Sequence, residues 1–269
     1  MENVDRRTVL MGAGAALSVS LAGCSGDEGS VEGSDGSNGV EPPKVNTLNG
    51  TWKKQDEGTI ERKIKKTVTL GTVHGKTQTF THSPAANQVK KKTEGEFGQA
   101  VGIGFATRFE LEGALLSSIP VDWMMGNIGS SFKDQLKQKG ITQVRQSEFS
   151  GNEPNPKGAK EVQTQGFSGR FSTGPFSIEV EVKKGTERTF EFDDVRLQIN
   201  SVLSVWKTGE ALFAAGGAWP AVSYNQQTDW VSVTGGGTGD GADVKLRIIL
   251  PFMRSRIRSD VLKLVESTR

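Results

Sequence analysis

Past Lys44 the chain alternates apolar and polar residues with period two, the pattern of strands that bury one face. Ile60, Ile64, Val68 and Leu70 share one parity, with lysines and threonines between them. Val101, Ile103, Phe105, Phe109 and Leu111 repeat it, as do Phe176, Ile178, Val180 and Val182 against Ser177, Glu179 and Glu181. Phe190 and Phe192 continue the pattern; after Asp193-Asp194 it resumes on the opposite parity at Val195, Leu197 and Ile199, which predicts a bulge. Val244, Leu246, Ile248 and Leu250 predict a last strand. One apolar and one polar face argues for antiparallel, half-exposed sheets.

Two segments switch to helical spacing. Val121, Met124, Met125, Ile128, Phe132 and Leu136 form one stripe, and Gly140 follows as a stop. From about Phe252, Ile257, Val261, Leu264 and Val265 form another. The expected fold is α+β, a twisted antiparallel β-sheet with two amphipathic helices packed on one side. By composition, 151–158 and 234–243 are loops, and alternation on both sides of the first favours one domain over 44–269.

The first 43 residues follow neither pattern. The run from Val9 to Ala22 is too short for a bilayer, which needs roughly 20 apolar residues, and is diluted by glycine, alanine and serine. Arg6 and Arg7 precede it, with Thr8, Val9 and Leu10 after them, the arrangement of a twin-arginine export signal. Leu21-Ala22-Gly23-Cys24 then has the form of a lipobox, in which small residues admit a peptidase and the Cys24 thiol is the nucleophile that takes a lipid. Ser25 to Pro43 is rich in glycine, serine and acids, too polar to offset its ordering entropy. As a tether it would span about 25 Å, lengthened by repulsion among its carboxylates. The organisation read here is a signal peptide over 1–23, a lipidated Cys24 with a tether over 24–43, and the folded body.

These N-terminal motifs resemble those of haloarchaeal lipoproteins exported by the twin-arginine route. The body, with its paired strands, amphipathic helix and strand meander, is similar in layout to one such family of unknown function. The resemblance implies a protein held on the outer face of the cytoplasmic membrane by lipid, and no particular activity.

Composition narrows the chemistry. In 269 residues, 33 basic against 31 acidic side chains leave a net charge of +2, which gives no argument for nucleic acid as partner. The 34 glycines against 9 prolines fit a β-rich body with many turns. The single cysteine, Cys24, excludes an internal disulfide. Ser168, in the stretch from Gly166 to Arg170, lacks the second glycine of a hydrolase serine turn at the required spacing, so it is not taken as a nucleophile. His74 and His82 would lie about 27 Å apart on one extended strand and would share a metal only if the chain turned near Gly75; two surface or hairpin histidines are expected instead. The glycine-rich segment before Val244 lacks the helix and lysine of a phosphate loop, and Asp240 with Asp243 offers too few oxygens for calcium, so a hairpin turn is expected. Asp193-Asp194 reads as a strand end without a partner acid.

No catalytic residue, metal or cofactor is assigned from the sequence. Positive charge is uneven: Lys53, Lys54, Arg62, Lys63, Lys65 and Lys66, the run Lys90-Lys91-Lys92, and Arg254, Arg256, Arg258 and Lys263 in the last helix. Lys90, Lys91 and Lys92 are the candidate contact with an anionic surface, be it cell-surface protein, glycan or lipid. The five tryptophans, Trp52, Trp123, Trp206, Trp219 and Trp230, are expected mainly in the core and at sheet edges. A non-catalytic binding module is the leading reading; an exported enzyme with a dispersed site, or a small solute-binding lipoprotein, is the alternative.

Overall fold

The structure, a computed structural model, describes residues 39–65, 69–92, 102–111, 119–172, 174–183, 186–194, 196–209, 211–233 and 242–269. Arg6, Arg7, Cys24, Lys66 and Asp240 lie outside them. Three helices, α1 (Ser83–Lys92), α2 (Val121–Gln138) and α3 (Arg254–Ser267), accompany thirteen strands among the described residues. In chain order the strands are β1 (Trp52–Lys65), β2 (Thr69–His82), β3 (Ile103–Leu111), β4 (Ile141–Ser147), β5 (Val162–Ser172), β6 (Phe176–Lys183), β7 (Thr186–Phe192), β8 (Arg196–Thr208), β9 (Ala211–Pro220), β10 (Tyr224–Gln227), β11 (Val231–Val233), β12 (Ala242–Val244) and β13 (Arg247–Leu250). Seven of them form one antiparallel sheet in the order β1-β2-β3-β9-β8-β5-β4. The class is α+β with sheet predominating.

The topology explains where the helices go. β3 lies mid-sheet while β4 is an outer edge, so the intervening chain must cross β9, β8 and β5. α2 makes that crossing and lays Val121, Met124, Met125, Phe132 and Leu136 on Phe109, Phe167, Leu203, Val205, Leu212 and Ala214. It stops where expected: Gly140 takes φ 80° and its N–H donates to the Lys137 carbonyl.

α3 packs on the opposite face, which corrects the expectation of two helices on one side. Phe105 meets Phe132 of α2 with ring centroids 5.3 Å apart, whereas a Cβ at neighbouring Gly104 would stand 3.0 Å from Leu264 of α3. Alternate side chains of a strand point to opposite faces. The reason lies in β8 and β9, where Ser201 to Trp206 and Leu212 to Pro220 are buried without a break. A half-exposed sheet would alternate there; a doubly covered one reads as a continuous apolar run. Val202, Trp206, Phe213 and Ala215 meet α3, α1 and the hairpins on one side, while Leu203, Val205, Leu212 and Ala214 meet α2 on the other.

Hairpin β6–β7 is a separate ribbon that packs Ile178, Phe190 and Phe192 into the α3-side core. The change of parity at Asp193-Asp194 is therefore not a bulge within a strand; β7 ends at Phe192, and β8 begins in the other sheet. Similarly, Ile60 and Leu70 belong to two paired strands rather than one. α1, which the sequence did not predict, buries only Ala85 and Val89.

β10 with β13 and β11 with β12 run as one antiparallel ribbon. Its register slips by one residue between Gln227↔Arg247 and Val231↔Val244, and Thr228 and Leu246 bond each other across the gap. Of the segment expected to be a hairpin turn, 234–241 lie outside the described residues, and Ala242 and Asp243 belong to β12. Val40, which the sequence put in the tether, is buried, and Glu41 reaches Arg108 at 3.2 Å. Lys44 and Arg269 exchange both backbone hydrogen bonds, at 2.7 and 3.0 Å, which ties the segment before β1 to the chain just past α3.

Close approach of α3 depends on glycine. A Cβ at Gly217 would lie 2.5 Å from the Ile103 carbonyl oxygen and 3.0 Å from Val261. Gly217→Ala is expected to lower stability by roughly 1–3 kcal/mol through overpacking, measured by denaturant unfolding. Tyr224, the sole tyrosine, packs against this core, and burial pushes its phenol up to about 12. Its neutral form is therefore the one the fold favours. Stability from it is complete below the ordinary tyrosine value and declines as pH rises toward 12. Ultraviolet titration should show phenolate appearing near 12 in the native protein, and near 10 once unfolded.

Candidate functional site

Both histidines lie on β2, and no turn occurs at Gly75, so the strand holds them apart. Neither is a surface residue. His74 is buried between Glu61 and Glu110 in the cross-strand register, and His82 is fully buried.

At His82 a buried histidine meets a carboxylate from a distant helix. β2 ends there and α1 begins, and the Ala85 N–H donates to His82 Nδ1 at 3.3 Å, a helix cap made by imidazole. The ring hydrogen therefore sits on Nε2, which donates to Asp260 Oδ2 of α3 at 3.1 Å. Trp52 of β1 closes the site, edge-on to His82 with centroids 5.1 Å apart, and its Nε1–H donates to the Asp260 carbonyl at 3.2 Å. Arg256 approaches the same carboxylate at 3.9 Å.

A histidine–aspartate pair can be a catalytic dyad, but a dyad needs one ring nitrogen turned toward a nucleophile or substrate. Here a helix backbone holds one nitrogen and Asp260 the other, and water does not reach the ring. The pair joins β1, β2, α1 and α3; it is a structural junction. Asp260 was not singled out in the sequence because 178 residues separate it from His82.

The other candidates are dispersed. Ser168 lies within β5 between Arg145 and Asn200, in register with both neighbours, and no histidine belongs to either strand. Asp194 closes a turn: Ser172 Oγ donates to it, Arg196 Nε lies 3.3 Å away, and the Gly174 N–H donates at 3.1 Å. These donors hold its carboxyl below the usual aspartate range, the Ser172 bond foremost. Asp243 lies on β12 opposite Ser232. Among the described residues, no group of three or more His, Cys, Asp or Glu is placed to hold a metal ion, and no helix is long and apolar enough to cross a membrane.

Of the tryptophans, Trp52, Trp206 and Trp219 are buried, as expected for core positions, and Trp123 is half-buried. Trp230 differs: it is 64% exposed, with Lys245 Nζ 4.6 Å from its ring centroid.

Charge is sorted by element. The outer face of hairpin β6–β7 exposes Glu179, Glu181, Glu187 and Glu191, with Glu181 directly opposite Glu187. Lys90, Lys91 and Lys92 occupy the last turn of α1, all exposed, where the negative end of the helix dipole favours them. Gln88 Nε2 donates to the Pro251 carbonyl at 3.4 Å, which sets this basic end beside the β13–α3 junction. α3 has no acid in its first turn and begins with Arg254 and Arg256, against its own dipole. Arg254 donates to the Ala221 carbonyl at 2.6 Å, while Arg258 donates to the Ser150 carbonyl and lies over Phe149. The lysines expected to contact an anionic surface thus adjoin a second basic group, the arginines of α3. Lys53 and Lys54 lie instead at the start of edge strand β1.

No protein-family model, no characterised protein and no solved structure matches the chain.

Replacing His82 by leucine is expected to cost about 3–5 kcal/mol, because it leaves a nearly buried carboxylate and a helix N–H without their partner. Denaturant unfolding of the purified variant checks this, with loss of stability as the readout.

Proposed function

We propose that this protein is a lipid-anchored domain on the outer face of the cytoplasmic membrane that acts by non-catalytic binding. The observation that carries the anchoring is the order of Arg6-Arg7, a short apolar run, Leu21-Ala22-Gly23-Cys24 and a Gly/Ser/acidic segment. A two-chain lipid on Cys24 holds firmly where one acyl chain would not. The segment from Ser25 to Asn38 is rich in glycine, serine and acids, the composition a tether between lipid and domain requires.

The binding reading is supported by what the buried polar groups do. The junction around His82 has both ring nitrogens engaged by the fold, and Asp194 and Ser168 serve a turn and a strand. The exposed cations of α1 and the start of α3 suit an acidic protein, glycan or lipid surface with no cofactor. Similarity to haloarchaeal lipoproteins exported by the twin-arginine route is part of this proposal.

Arg6→Lys with Arg7→Lys should leave unprocessed precursor in the cytoplasm, seen by fractionation and immunoblotting. Cys24→Ser should release protein to the medium or block maturation; normal processing with firm membrane retention would refute the anchor. A substrate turned over by the purified protein would refute the non-catalytic reading.

A further inference from the structure

We infer that the body carries a second membrane contact, a mixed apolar and cationic surface built on the β10–β13 ribbon and its junctions, which lies against an anionic bilayer. Among the described residues, the large apolar side chains left exposed are Val222, Trp230, Ile249 and Met253, at 40, 64, 45 and 49%. They are not scattered. Val222 and Met253 adjoin through the bond from Arg254 to Ala221, and Ile249 pairs with Asn225 on the outer face of the ribbon. Trp230 follows at the slip in register, against Lys245.

Cations alternate with these side chains. Arg247 shares the outer face with Ile249 and donates to Asn225 at 2.8 Å. Lys245, Arg254 and the Lys90–Lys92 turn complete the surface, while Asp229 and Asp243 are the exposed acids of the ribbon among the described residues. Tryptophan with short apolar side chains, interleaved with lysine and arginine that can lift their charge out of an apolar layer, suits a lipid headgroup region. A protein interface would gather its apolar residues at a buried centre and set the charge at the rim.

The partner also follows from reach. This inference rests on the lipid anchor proposed above. The described chain begins at Gly39, five residues before Lys44, which lies beside the end of α3, and the surface lies at the start of that helix, 14 residues or about 21 Å away. The 15 residues from Cys24 to Asn38 extend to at most about 50 Å, so the lipid and the surface reach one bilayer together. Anchoring then makes the second contact intramolecular, and even weak surface affinity would set the orientation of the domain.

The test uses the full chain with Cys24→Ser, so that no lipid contributes, and sedimentation with vesicles of phosphatidylcholine mixed with phosphatidylglycerol or of phosphatidylcholine alone. Binding is expected to the anionic vesicles, weakened by molar salt, with Trp230 fluorescence quenched by brominated lipid and that quenching lost in Trp230→Phe. Charge reversal at Lys90, Lys91 and Lys92 should lower partitioning by at least about tenfold, given roughly fivefold per basic residue. Ile249→Asp with Met253→Asp should lower it comparably. All five side chains are exposed, so unfolding midpoints should stay within the wild-type range, and the apolar leader is common to every variant. No binding, equal binding by all variants, or binding without quenching of Trp230 would overturn the inference. Mass spectrometry of the Cys24 peptide from the native host tests the anchor separately: an unlipidated Cys24 there removes the anchor and leaves the vesicle result standing.

Discussion

Strands β8 and β9 carry apolar side chains at consecutive positions, and a sheet built around such a pair has to be covered on both faces. The rest of the chain serves that requirement. α2 covers one face as it carries the chain from mid-sheet β3 to the far edge at β4. The other face takes α3, α1, hairpin β6–β7 and the β10–β13 ribbon. A fully buried Leu or Val contributes roughly 1.5–3 kcal/mol, so Val261, Leu264 and Val265 alone make α3 an integral part of the core.

That cover is fastened at one buried polar point. His82, Asp260 and Trp52 come from β2, α3 and β1, and their hydrogen bonds hold the last helix to the first hairpin and start α1 at the same time. The junction shows why a histidine–aspartate pair has to be judged by its free valences. With Nδ1 capping a helix and Nε2 on a carboxylate, the imidazole has nothing left to offer a substrate. Polar burial here secures a tertiary contact, and the cost of desolvation is met by partners on both nitrogens.

The same architecture pushes charge outward and separates it by sign. Carboxylates line the outer face of hairpin β6–β7, while lysines close α1 and arginines open α3. Net charge near zero therefore describes this molecule poorly. Its basic side coincides with the ribbon that leaves Trp230, Ile249 and Met253 exposed, and this coincidence is what a surface-held domain can use.

Much of the body was legible along the chain, because period-two alternation and the 121–136 stripe are local signals that need no knowledge of the partner. Gly140 marked the end of α2 for the same reason. Even the double cover of β8 and β9 was written in the adjacent apolar pairs Val202-Leu203 and Val205-Trp206 and in the stretch of apolar residues and glycine from Ala211 to Pro220, although alternation elsewhere hid it. What the chain alone determined, then, was strand and helix character, the lack of an internal disulfide, and N-terminal motifs that no fold is needed to read. Only tertiary structure decided which face each helix takes, that a parity change at Asp193-Asp194 separates two sheets, and that His82 meets Asp260. Those outcomes depend on pairing between residues far apart in sequence, and period and composition report on neighbours only.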